Sequence, residues 1–188
     1  SEKKLSLLIK DFFNDTYIID QNACSSPHLI MWYGKNNKNA KLKFWDRLNK
    51  KIKKDYDLPM NAVTEKYNKF CLDMSRDNIF KKGKVISPYL YTLELKKITN
   101  EIENLRGRWG YFYEINVNDL NKIGRFITKK FQTLTYFGFK KKYFLDFFNK
   151  NKIYGIDRIV PIGKALYMDL DWDGYDIIKT LSRKISID

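Results

Sequence analysis

The chain has only two cysteines and one histidine in 188 residues. Cys24 and Cys71 stand far apart, which points to free thiols in a reducing compartment, and a cytoplasmic location is expected. Two cysteines and one histidine cannot complete a structural zinc site without other donors, and no metal is expected. No apolar run approaches the roughly 18 residues of a membrane span. The start, Ser1-Glu2-Lys3-Lys4, leads into an amphipathic segment and not an apolar signal core, so no secretory signal is read. No Gly-x-Gly-x-x-Gly, P-loop or Gly-x-Ser-x-Gly occurs. That excludes the usual glycine-rich cradle for a dinucleotide pyrophosphate and the hydrolase nucleophile elbow.

What the chain does have is positive charge and aromatic rings. Lysine and arginine number 36 against 22 acidic residues, a formal net charge of +14, and hydrophobic residues make up 44%. That is enough apolar material for one domain with its own core. The charge invites a nucleic-acid reading through phosphate neutralisation. The lysines, however, are spread along the whole chain in Asn-Lys and Lys-Lys pairs and form no stripe. Such a surface equally attracts coenzyme A or a phosphorylated cofactor. A basic module that binds nucleic acid or another protein stays as the competing class.

Taken in order, residues 2–13 read as a helix with Leu5, Leu8, Ile9 and Phe12 on one face. Residues 16–20 read as a short central strand, and 29–33 as a second apolar strand. A charged helix is expected over 40–56 and another over 62–77, with Val63, Tyr67, Phe70, Cys71 and Met74 inward. Cys71 is therefore read as core. Residues 81–84 read as a turn, and 85–95 as a strand or hairpin interrupted at Pro88. The stretch 94–105 fits a strand end or a helix. Residues 106–110 form a turn before the strand 111–117. A helix follows to about 130, then a strand at 133–137, a helix at 140–149 and an extended unit at 153–162. A last helix spans about 174–185, capped by Asp173. Strands alternating with helices predict an α/β fold with a mostly parallel sheet and helices on both faces.

The stretch that carries chemistry is the polar turn between residues 20 and 28. Cys24 lies there between Ala23 and Ser25, and Pro27 holds Ser26 away from helical geometry. Small neighbours leave the sulfur approachable and the amides of Cys24 and Ser25 open to a ligand. An acyl-accepting thiol needs both: an attacking sulfur and N–H donors for the oxyanion. The competing reading is a small buried hydrophobe. His28, four residues on, is a candidate base for that thiol. Gly107-Arg108-Trp109-Gly110 has the form of an RNA-clamping Gly-x-x-Gly, but a strand-like run follows it, which favours a plain β-turn. Asp169-Leu170-Asp171-Trp172-Asp173-Gly174 looks like the start of a calcium loop. Loop position 12 is Thr180 where a bidentate Glu is required, so helix capping accounts for the acids better.

Asp20-Gln21-Asn22-Ala23-Cys24-Ser25-Ser26-Pro27 resembles the active-site cysteine segment of the long-chain acyl-CoA reductases. These belong to the aldehyde dehydrogenase superfamily and include the fatty-acid reductase component of bacterial bioluminescence systems. Gly155-Ile156-Asp157-Arg158-Ile159-Val160-Pro161-Ile162-Gly163-Lys164-Ala165-Leu166 is similar to a second block of that family. So are Trp172-Asp173-Gly174-Tyr175-Asp176 and the run from Phe131 to Gly138. The resemblance spans about residues 15–185. It implies an aldehyde-dehydrogenase-like catalytic domain over 1–188, the C-terminal part of a longer reductase whose cofactor-binding domain comes earlier. It implies Cys24 as nucleophile and backbone oxyanion donor, NADPH as cofactor held mainly by that other domain, and an acyl-CoA or acyl-protein thioester as substrate. An acyl-protein synthetase is the implied partner, and association into oligomers is usual in the superfamily. The superfamily's general-base Glu and oxyanion side chain normally precede this stretch. Its Glu-x-Phe-Gly-Pro segment falls near Gly107–Tyr111, where the Glu and the Pro are absent. A cofactor-independent acyl carrier or acyltransferase is the other reading that keeps Cys24.

Overall fold

The computed structural model describes residues 1–187. Helix α1 (Glu2–Thr16) leads through a 3₁₀ turn, Tyr17–Ile19, and the Cys24 loop into β1 (Leu29–Tyr33). Helices α2 (Lys38–Asp55) and α3 (Met60–Met74) follow, then the hairpin β2 (Phe80–Ser87) and β3 (Leu90–Leu95). Strand β4 (Tyr111–Val117) completes a four-stranded sheet of order β1-β4-β3-β2. Strands β1, β4 and β3 are parallel, and β2 is antiparallel to β3. The fold is thus mixed α/β with a partly parallel sheet. Beyond it, β5 (Gln132–Tyr136) and β6 (Ile156–Pro161) form a parallel pair joined through α4 (Lys141–Asn151). A two-residue hairpin, β7 (Asp171–Trp172) and β8 (Tyr175–Asp176), precedes the short helix α5 (Ile177–Leu181). No helix of the described residues is long and apolar enough to cross a membrane.

Strand alternation divides β4 between two cores. Tyr111, Tyr113, Ile115 and Val117 face a cluster that takes in Leu93, Phe70 and Met74 of α3. Phe112 faces Phe12, Phe44, Trp45 and Leu48 of α1 and α2. Glu114 lies on that second face and is buried, so it needs partners. The Trp32 and Trp45 indoles both donate to its Oε2 at 3.0 Å, and Lys41 Nζ pairs with Oε1 at 2.8 Å. The two indoles lie 5.9 Å apart at 74°. One carboxylate thereby ties β1, β4 and α2 together.

Four expectations from sequence are corrected. Residues 16–20 are not a strand: Thr16 Oγ1 donates back to the Phe12 carbonyl at 2.6 Å and Phe13 stacks on Tyr17, so the helix runs on and tightens. Residues 81–84 are not a turn but part of β2. Gly83 stands there because an added Cβ would fall on the Phe70 ring and Met74 Sδ. Between 118 and 130 only two 3₁₀ turns form, Leu120–Lys122 and Gly124–Phe126. The last helix is short, and Asp176, not Asp173, caps it by accepting from the Lys179 amide at 2.9 Å. Asp173 and Gly174 instead form the β7–β8 turn, both at positive φ.

Helix α3 is rotated from the face expected for it. Ala62, Lys66 and Asp73 are buried, while Val63 and Tyr67 are exposed. Cys71 is exposed, not core. Polar anchors set the rotation. Asp73 Oδ2 accepts from the hydroxyls of Tyr111 at 2.8 Å and Tyr113 at 2.7 Å, and Lys66 Nζ donates to the Trp109 carbonyl at 2.7 Å. Burial pulls the Lys66 amine down to about 7.

Candidate active site around Cys24

The Cys24 loop opens on two consecutive left-handed residues, Asp20 (φ 56°) and Gln21 (φ 60°). Neither is glycine, so each costs on the order of 1 kcal/mol of backbone strain. Side chains hold the conformation. The Tyr56 hydroxyl donates to Asp20 Oδ1 at 2.5 Å, and the Trp109 amide donates to the Asp20 carbonyl at 3.1 Å. The Gln21 side chain is 1% exposed and makes four hydrogen bonds. Its Nε2 donates to the carbonyls of Pro27 at 2.8 Å and Tyr111 at 3.1 Å. Its Oε1 accepts from the amides of Gly110 and Tyr111, both at 3.1 Å. Gly110 has φ +81°, and an added Cβ would strike the Tyr89 carbonyl and the Tyr17 hydroxyl, so only glycine fits this contact.

Within the loop the Ser26 amide donates to the Ala23 carbonyl at 3.0 Å, and Ser26 Oγ donates to the Asp15 carbonyl at 3.2 Å. Ser25 and Ser26 are buried, while Cys24 is exposed as a free thiol. No hydrogen bond among the described residues engages the amides of Cys24 or Ser25. The loop therefore presents a sulfur beside two N–H groups with donor capacity to spare.

His28 enters β1 with its carbonyl accepting from the Tyr113 amide at 2.9 Å. Its Nδ1 accepts from the Gly107 amide at 3.1 Å. Burial, helped by the nearby Arg106 guanidinium, lowers the imidazole to about 4. A neutral ring whose Nδ1 accepts carries its proton on Nε2. To serve as a base through Nδ1, His28 would have to give up Gly107. Among the described residues no hydrogen bond joins His28 to Cys24, although both line one cleft.

That cleft measures about 750 Å³ and lies between β1 on one side and β5 with α4 on the other. Met31, Leu134, Phe144, Phe147 and Ile156 give it an apolar wall, and Tyr33, Phe139 and Tyr143 pack together along it. Of its charged lining residues, Lys130 pairs with Glu103 at 2.9 Å, while Arg106 makes no ion pair among the described residues. Below the loop, Asp15 accepts from the amides of Gly163 at 2.6 Å and Ala165 at 3.0 Å. Burial outweighs those bonds and raises its carboxyl to about 6. Arg158 donates to the carbonyls of Lys164, Ala165 and Tyr167 and stacks on Trp172 at 4.2 Å. The block Gly155–Leu166 is thus fastened beneath the Cys24 segment.

Gln21, Tyr56 and Lys66 were not singled out by sequence. Gln21 was visible as a long amide inside a polar turn, but its partners lie six and about ninety residues away. The segment Gly107–Gly110 enters β4 through a bend at Trp109 and Gly110, and its Gly107 and Gly110 amides serve His28 and Gln21. No turn that opens a helix carries more than one glycine, so the described residues offer no glycine-rich cradle for a dinucleotide pyrophosphate, and no step on a nicotinamide is assigned to them. Among the described residues no group of three or more histidine, cysteine or acidic side chains could hold a metal ion. No protein-family model matches the chain, and no curated protein matches it.

Proposed function

We propose that this chain is the cysteine-bearing catalytic portion of an NADPH-dependent long-chain acyl-CoA reductase, and that its own step is acyl transfer from an acyl-CoA thioester to Cys24. One observation carries the reading: an exposed thiol on a clamped loop, beside two unengaged amides, at an apolar cleft. The Cys24 sulfur, as thiolate, attacks the acyl carbon. The amides of Cys24 and Ser25 receive the charge that develops on the carbonyl oxygen. The carbon–sulfur bond to coenzyme A then breaks, its electron pair leaves on the coenzyme A thiolate, and that thiolate takes a proton from solvent. One thioester replaces another, so the step is nearly thermoneutral and depends on positioning and oxyanion donors. The apolar cleft supports an acyl tail as the group transferred. The neutral His28 ring, with Nε2–H to give, suits hydrogen-bond donation better than proton abstraction. Reduction of the acyl group is assigned to a longer parent protein that supplies the cofactor.

The test is intact mass after incubation with palmitoyl-CoA, beside Cys24→Ala. The expected result is one acyl adduct, absent in the variant and released by hydroxylamine. An unmodified wild-type chain would overturn the reading. NADPH-dependent aldehyde formation by these residues alone would overturn the division of labour.

A further inference from the structure

The Gln21 side chain is built into the base of the Cys24 loop and adds to closures that the backbone makes by itself. Asn22 and Ser26 already close the turn through backbone bonds to Ile19 and Ala23. Gln21 adds a second closure from one end of the loop to the other, since it reaches the Pro27 carbonyl six residues on. With its remaining bonds it fixes that closed loop to Gly110 and Tyr111 at the start of β4, an interior strand of the sheet. Both amide donors and both oxygen lone pairs are used, so the side chain has one orientation and no alternative partner.

Resting on the acyl-transfer reading above, we propose that Gln21 is a positioning residue: it holds the amides of Cys24 and Ser25 in the orientation that receives the thioester oxyanion. Gln21 does not touch the sulfur or the substrate. It acts by fixing the two ends of the segment that carries both amides. Oxyanion stabilisation depends on donors aimed in advance at the place where charge develops. Attack by the same sulfur on an alkyl halide forms no oxyanion and needs only an exposed thiolate. The two reactions therefore separate positioning from mere exposure or folding.

The experiment uses the full chain with Cys71→Ser, which leaves Cys24 as the one thiol, and adds Gln21→Glu or Gln21→Met. Glutamate retains acceptors for the Gly110 and Tyr111 amides but loses the donors to the Pro27 and Tyr111 carbonyls. Methionine keeps the volume and loses all four bonds. Acylation by palmitoyl-CoA and alkylation by iodoacetamide are each timed by intact mass, with folding checked by circular dichroism. The expected result is acylation slowed by about 100-fold in a folded variant, the scale of a small misplacement at a reacting centre, with alkylation within about twofold of the parent since exposure is unchanged. Equal loss of both reactions, or loss of neither, overturns the positioning role. So does failure of both variants to fold, which would make Gln21 a folding residue. A parent protein that takes no acyl group overturns the acyl-transfer reading itself, and the positioning role with it, and that outcome is told apart from the others by the parent alone.

Discussion

Asp15 and His28 flank the Cys24 loop, and burial shifts both toward their neutral forms. For Asp15 the folded value near 6 lies above the ordinary 3.8. The protonated form is favoured in the folded state, so this contribution is full below about pH 4 and lost as pH rises through 6. For His28 the folded value near 4 lies below the ordinary 6.5. Its contribution is full above pH 6.5 and lost as pH falls through 4. Each amounts to about 3 kcal/mol across its window. Between pH 4 and 6 the two slopes oppose each other. Asp15→Asn should therefore leave a chain that loses stability on acidification relative to wild type, and His28→Asn one that gains. Urea midpoints at pH 4.5 and pH 7 check this: parallel shifts in both variants would remove the assignment. None of this was legible in the sequence. His28 was visible as a lone histidine near a thiol, but its Gly107 partner and the Arg106 charge come from a turn about eighty residues away.

Elements with strong local signals were read well. Helices α1 and α2 follow their apolar spacing, and the hairpin breaks at Pro88 as its β-branched and aromatic run suggests. Strand β4 follows the bend at Trp109 and Gly110, with every residue but Asn116 buried. The misreadings fall where distant groups decide. Apolar spacing put Cys71 inside, yet α3 turns so that Asp73 meets two tyrosine hydroxyls of β4. Local periodicity holds no record of a carboxylate that two hydroxyls forty residues on will need. The consequence is measurable. Asp73→Ala leaves both buried hydroxyls without that acceptor and should cost about 3 kcal/mol or more. Cys71→Ser, two residues earlier on the exposed face, should stay within about 0.5 kcal/mol of wild type. Thermal unfolding compares them, and a large loss from Cys71→Ser would contradict the observed rotation.

At the scale of the molecule, the sequence anticipates an α/β fold with a mostly parallel sheet; the fold is α/β, but β2 runs antiparallel, and the strands divide into a four-stranded sheet and a separate β5–β6 pair. The cleft between them could not be read from the chain, because its walls come from residues a hundred positions apart. The blocks around Cys24 and Gly155–Leu166 lie more than a hundred residues apart in the sequence. In the fold they are joined through Asp15 of α1, whose carboxylate accepts from the Gly163 and Ala165 amides and whose carbonyl accepts from Ser26 Oγ.

Glu114 supplies an optical consequence. By receiving the Trp32 and Trp45 indoles on one oxygen, it fixes two chromophores 5.9 Å apart and steeply inclined. Transition dipoles so close and so crossed couple, and the pair should give an exciton couplet in circular dichroism. Either Trp32→Phe or Trp45→Phe should abolish that signal, and Trp172→Phe should leave it intact. Because the two rings belong to β1 and α2, the couplet reads out whether the helical layer is docked on the strand that follows the Cys24 loop.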